Sequence, residues 1–306
     1  MHDTRGPFSR KLDGVYILLT FAACLMIVVM LAIILGNIGI NGIGIVNWAF
    51  ISGKPEAGMT EGGIFPAIFG TVALVLLMTI AVVPVGALTA VYLHEYAHKD
   101  SKAARLIRVA VNNLAGVPSI VFGLFGLAFF VEFVGSRIDN AFYGGELHYG
   151  QPGIIWASLT LAVLTLPVVI VSTEEALRAV PDDVRHAALA VGATEWQMLR
   201  HVVIPQAMPG VLTGGILAVS RGAGEVAPIL FTGAAYFLPD LPSRLNHQFM
   251  ELGYHVYVMA TQSPDVDATK PLLYGTVFVL LALTFLLNVT AILIRSRMRT
   301  RIAHSM

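Results

Sequence analysis

The stretch EEALRAVPDDVRHAALAVGATEWQMLRHVVIPQAMP, Glu174 to Pro209, is a charged, helix-prone island between two apolar runs. Within it, Val184 to Val191 predicts a short amphipathic helix with small alanines on one face, closed by Gly192 where a C-terminal glycine cap belongs. A helix with so small a face suits docking into a partner's groove. The docking candidates are Asp182, Asp183, His186, Ala187, Ala188 and Gly192.

Outward from this island the chain is apolar. Of 306 residues, 56% are hydrophobic and 12% charged, and the mean hydropathy is +0.76, outside the range of a soluble globular domain. The composition therefore predicts an all-α polytopic membrane protein. The formal net charge is zero, so no basic excess attracts nucleic acid, and no zinc-finger, homeodomain or RNA-binding signature occurs. Cys24 is the single cysteine, which excludes an internal disulfide or a cysteine metal cluster. No lysine stands in a G-x-x-x-x-G-K-[ST] setting, so this chain has no P-loop for ATP.

Six runs are long and apolar enough to cross a bilayer: about 15–35, 64–93, 106–134, 153–173, 209–235 and 271–294. They define a 1–14 N-terminal segment, a 15–294 transmembrane domain with its polar loop at 174–208, and a basic 295–306 tail. Positive residues are retained on the cytoplasmic side. Alternate loops carry fourteen Lys and Arg on the side of both termini and the island, against four (Lys54, Arg137, Arg244, Lys270) on the other. The termini and the island are expected in the cytoplasm of a cell-membrane protein. The longer outward loops, 135–152 and 236–270, are candidates for meeting an extracytoplasmic partner.

The nineteenth positive residue, Arg221, lies with Glu225 in SRGAGEVAP, inside the fifth apolar run. At roughly 1.5 Å per residue both fall near mid-bilayer, and a spacing of four puts them on one helical face. A charge at that depth costs about 2.5–3.5 kcal/mol, so each must face a partner or a watery path. Either the two form a fixed ion pair that orients the helix, or they line an anion path in which Arg221 offers planar donors to an oxyanion. Glu225 balances that charge when the path is empty and can accept a hydrogen bond from a protonated oxyanion, which sulfate at neutral pH is not. Gly222 and Gly224 flank the pair, and a helix loosened there is expected to expose backbone N–H groups. In the third run, Asn112, Asn113 and Ser119 are further candidates for lining the path, or for holding helices together.

These stretches carry a resemblance. His186-Ala187-Ala188, Gly192 and Val202-Val203-Ile204-Pro205 resemble the EAA loop of ABC importer permeases, EAA-x3-G-x9-I-x-LP, with His186 at the family's glutamate. Tyr92 to Ala97 (YLHEYA), Asn113 to Leu124 (NLAGVPSIVFGL) and Arg221 to Thr232 (RGAGEVAPILFT) resemble the permease subunits of phosphate-specific ABC importers, the last in the PstA form rather than the PstC form. The resemblance runs from about the second span to Thr232. It implies the type I ABC importer (MetI-like) permease fold, a coupling helix in the island, and intramembrane charges at Arg221 and Glu225. It further implies a PstC-like second permease, a PstB-like ATPase dimer that binds the ATP, and a PstS-like phosphate-binding protein outside. This chain itself then needs no cofactor and is not an enzyme. Sulfate, molybdate or phosphonate permeases are the near alternatives.

One motif points elsewhere. His94-Glu95-Tyr96-Ala97-His98 matches HExxH, in which two histidines a turn apart hold zinc and the glutamate acts as base, the pattern of a metalloprotease. No third ligand element of the Asn-x-x-Pro-x-Asp kind follows it, and it falls at the end of the second span, where polar residues commonly snorkel.

Overall fold

The computed structural model describes residues 7–98, 101–263 and 265–304. Arg5 and Lys99 lie outside the described residues, as do the side chains of Arg10, Lys11, Arg299 and Arg301. The described elements are α1 (Pro7–Gly42), α2 (Trp48–Ser52), β1 (Pro55–Glu56), β2 (Glu61–Gly62), α3 (Phe65–Val91), α4 (Lys102–Leu114), α5 (Ser119–Phe125) and α6 (Ser136–Phe142). They continue with α7 (Ile154–Arg178), α8 (Asp182–Ala190), α9 (Glu195–Met198), α10 (Ile204–Gly222), α11 (Leu252–Thr261) and α12 (Val266–His304). Wider π-helical turns extend α3 over Tyr92–Tyr96, join α5 to α6 over Gly126–Gly135, and join α9 to α10 over Leu199–Val203.

Among the described residues, six helical stretches are long and apolar enough to span a membrane: Gly14–Gly42, Phe65–Tyr96, Ser119–Phe142, Ile154–Arg178, Glu195–Gly222 and Val266–Met298. The number agrees with the sequence expectation. Two boundaries do not.

The third run breaks at Ala115–Pro118 into α4 and α5, because Pro118 has no N–H to donate and disfavours a helical Val117 ahead of it. The fifth run enters its helix earlier and leaves it sooner than expected. Pro205 sits in the first turn of α10 and Pro209 is accommodated within it, so the helical path starts back at Glu195. It stops at Gly222, because Gly222 and Gly224 favour helix poorly and Pro228 disfavours a helical Ala227. Residues 223–251 then proceed through turns with a single bridge, Ala234 to Phe249.

The core lies where α3, α7 and α10 meet, with Leu74, Met78, Val82, Leu161, Val169 and Ala218 all but fully buried. Small residues set the helix separation: a Cβ on Gly86 would stand 2.7 Å from Val169 Cγ1, and one on Gly214 3.0 Å from Ser172 Cβ. α1 and α12 form the outer layer, touching where Gly42 meets the Tyr274 carbonyl. A two-residue hairpin, β1 with β2, covers the loop between the first two spans.

Candidate functional site

Depth in the bundle is read from neighbours. Gly222 packs on Met78, close to the middle of the 32-residue second span. By Thr232, whose carbonyl accepts from the Gly153 N–H, the chain has reached the start of α7. The irregular segment from Ala223 to Thr232 therefore climbs from mid-depth to one end of the bundle without helix. Backbone of that kind is tolerated inside a membrane only where protein buries it or where it lines a cavity. Ile229 and Thr232 are fully buried, while Gly224 is exposed and Glu225 to Ala227 are half-exposed. One side of the segment is packed and the other open.

Arg221 and Glu225 stand at the start of this climb. Arg221 Nε lies 3.4 Å from Glu225 Oε1, with the side chains 40% and 22% exposed. They do not share a helical face, as sequence spacing suggested: Arg221 is in the last turn of α10 and Glu225 lies beyond the helix end. The expected loosening at Gly222 and Gly224 is present, with a changed consequence. A helix C-terminus frees carbonyls rather than N–H groups, so the backbone end there is not itself an anion site. The Arg221 guanidinium sits where the helix macrodipole is negative and favours a cation. Ser220, the preceding residue, is held by Asn288 Nδ2 of α12 at 3.3 Å.

Of the other candidates, Ser119 opens α5, and one turn on a Cβ at Gly123 would meet the Ala227 and Pro228 carbonyls at 3.0 and 3.1 Å. Ser119 is thus on the element that packs against the irregular segment. Asn112 and Asn113 lie before the break, exposed in the last turns of α4.

The island folds as predicted. α8 runs Asp182–Ala190 with Asp182 and Asp183 in its first turn, where the dipole favours acids, and Gly192 follows in the left-handed region at φ +91°. No residue of α8 is buried. His186, Ala187 and Gly192 are exposed, as is Val191 at 85%. Ala188 differs from the rest of the docking face read from sequence: it is half-buried and packs against the cluster that holds Leu177, Val180, Met198 and Leu199.

Two arginines tie this region to its neighbours. Arg185 Nη1 donates to both oxygens of Glu95, at 2.7 and 2.6 Å, and Nη2 donates to the Leu177 carbonyl at 2.8 Å. Arg108 reaches the Leu93 carbonyl at 2.7 Å and Glu174 at 3.4 Å. Sequence reading missed both, since the partners are 90 and 66 residues apart. The same geometry removes the HExxH reading. Glu95 is engaged by Arg185, the turn holding His94 is π-helical, and His98 lies past the helix end, so the two histidines do not stack on successive α-turns. Among the described residues no three His, Cys, Asp or Glu side chains converge as a metal set.

At the opposite end of the bundle a cleft of about 370 Å³ opens between Gln151, Asp240, Asn246 and His247. The turn leading into Gln151 is held by Asp139, whose carboxylate accepts from the N–H groups of His148, Tyr149 and Gly150 at 3.0, 2.8 and 2.6 Å.

Six spans, a half-open polar centre and a protruding helical elbow define a multi-pass membrane permease. The family model described as binding-protein-dependent transport system inner membrane component matches residues 82–303, and the chain belongs to that family. Its members are permease components of transporters and not enzymes. The chain is 32% identical to the probable ABC transporter permease protein YqgI of Bacillus subtilis, over 81% of this chain and 84% of that one. It is 34% identical to the phosphate transport system permease protein PstA of Xylella fastidiosa, over 79% of each. Among solved structures, a bacterial alginate ABC transporter in complex with its pentasaccharide-bound periplasmic protein superposes with a TM-score of 0.66 at 12% identity, covering 92% of this chain and 93% of that chain. The fold is that of type I ABC importer permeases.

Proposed function

We propose that this chain is one permease subunit of an ATP-driven importer of inorganic phosphate, supplying half of the translocation path. The observation that carries the reading is the Arg221–Glu225 pair, half-open at mid-depth where helix gives way to irregular backbone, in a chain similar to a PstA protein. The guanidinium gives a dehydrating oxyanion planar donors, and the adjacent carboxylate suits an anion that still carries a proton. Ser119, at the start of the helix that packs against the irregular segment, borders the same path. The Lys and Arg bias supports placing α8 and both termini in the cytoplasm.

There α8 meets a PstB-like ATPase dimer through His186, Ala187, Val191 and Gly192, with the acidic first turn of Asp182 and Asp183 beside it. ATP is bound by that partner and not by this chain. The opposite cleft faces a PstS-like binding protein, and a PstC-like permease completes the path.

The test is transport by vesicles holding this chain with its copurifying subunits and binding protein. Phosphate uptake that requires ATP and exceeds sulfate, molybdate and phosphonate uptake is expected. Uptake without any ATPase subunit, or a preference for a fully deprotonated oxyanion, contradicts the proposal.

A further inference from the structure

One short, charged side-chain linkage lies away from the Arg221–Glu225 pair. Glu95 sits in the π-helical turn that ends the second span, and Arg185 sits in the first half of α8. Their two bonds, at 2.6 and 2.7 Å, run from one Arg185 nitrogen to both carboxylate oxygens, and the side chains are 13% and 11% exposed. The second Arg185 nitrogen holds the Leu177 carbonyl at the end of α7. Charge-assisted bonds so largely withdrawn from water hold their geometry better than exposed ones. No residue of α8 is fully buried, and this arginine, with the inward-packed Ala188, ties the helix to the bundle.

The route from Glu95 to the pair at mid-depth is continuous. The second span packs on α10 at Val83 against Gly215 and at Met78 against Gly222, next to Arg221. The widened turn at Tyr92–Tyr96 sits between the attachment and the rest of that span, and π-turns are local distortions of a helix commonly placed at functional positions.

We infer that the Arg185–Glu95 pair is the strut that passes displacement of α8 into the second span, and from there to the α10 end that carries Arg221. Arg185 and Glu95 are positioning residues that never touch the transported ion. The inference rests on the permease reading and adds to it the element through which ATP-driven motion enters this subunit.

The experiment measures ATP hydrolysed and anion moved by the same vesicles of intact complex, using whichever oxyanion the wild-type complex carries. Phosphate is expected, and a different anion would correct the proposed substrate without bearing on the strut. Glu95→Gln and Arg185→Gln should each leave ATP hydrolysis in place while anion moved per ATP falls by about tenfold, the scale of a typical coupling between sites. The exchanged double variant, Glu95→Arg with Arg185→Glu, should recover most of that ratio. Should either glutamine variant fail to assemble, Arg185→Lys keeps the charge and the stem but loses the fork, and a lowered ratio in an assembled complex is expected from it. An unchanged ratio in the assembled single variants, or a double variant as defective as the singles, overturns the inference.

Discussion

Arg185 meets Glu95 through two bonds of 2.6 and 2.7 Å across 90 residues of chain, with little of either side chain exposed. Arg221 meets Glu225 through one 3.4 Å contact four residues away, with 40% and 22% exposed. The chemical groups are the same and the environments are opposite. Where geometry is bidentate and water is excluded, removing one partner strands a charge, and the pair behaves as a fixed joint. Where the contact is single and half-wet, either group can exchange its partner for a passing ion at little cost. A third carboxylate completes the series: Glu251, ahead of α11 and outside the spans, is fully buried. It accepts from the N–H groups of Gly253 and Tyr254 at 2.9 and 2.7 Å and from the Thr71 hydroxyl at 3.3 Å.

These contrasts predict graded outcomes. Arg221→Gln should have the largest effect, an uptake loss of about 100-fold with assembly intact, the scale on which removing one preorganised donor acts. Exchanging the charges between positions 221 and 225 should not restore uptake, since the cation is needed for the ion rather than for its neighbour. Rescue by that exchange would make the pair a second joint and erase the distinction. Glu225→Gln should cost less, about tenfold, because it removes charge balance and one acceptor but leaves the donor in place. Equal losses at 221 and 225, measured as initial uptake rates, would break the assignment of roles.

The smallest effect concerns Glu251. Burial pushes its pKa from 4.5 up to about 7, against the downward pull of its three hydrogen bonds. A carboxyl raised in the folded state contributes its full stability below the unfolded value and loses it as pH rises through the folded one. The wild-type complex should therefore lose thermal stability between about pH 4.5 and 7 more steeply than Glu251→Gln. Parallel melting curves for the two would show that Glu251 titrates alike in the folded and unfolded states and that burial does not raise its pKa.

What could be read from the sequence was whatever is encoded locally. The six spans follow from apolar runs, and α8 with its left-handed Gly192 follows from a short periodic segment and a cap residue. The helix end at Gly222 was written in Gly222, Gly224 and Pro228, but hydropathy reports that a stretch is apolar, not that it is helical. At Ala115–Pro118 the interrupting residues, Gly116 and Pro118, are again local, although hydropathy runs across them. The Arg221–Glu225 contact was legible because it is local. The Arg185–Glu95 joint was not, and Glu95 invited a metal reading instead, because its partner is supplied by a distant turn. The half-buried setting of Ala188 was hidden for a related reason: a short helix shows which residues are small, but only its tertiary neighbours decide which side faces in.

The central claim is that the mid-depth arginine faces water in the assembled transporter. Cys24 is the only cysteine, so Arg221→Cys in a Cys24→Ser background gives one thiol to follow. In vesicles of the complete complex, a small anionic methanethiosulfonate reagent should modify that thiol, and phosphate with its binding protein and ATP should change the rate. A thiol that stays unmodified in every state of the complex, yet reacts once the chain is unfolded in detergent, would place position 221 in dry protein and contradict the account.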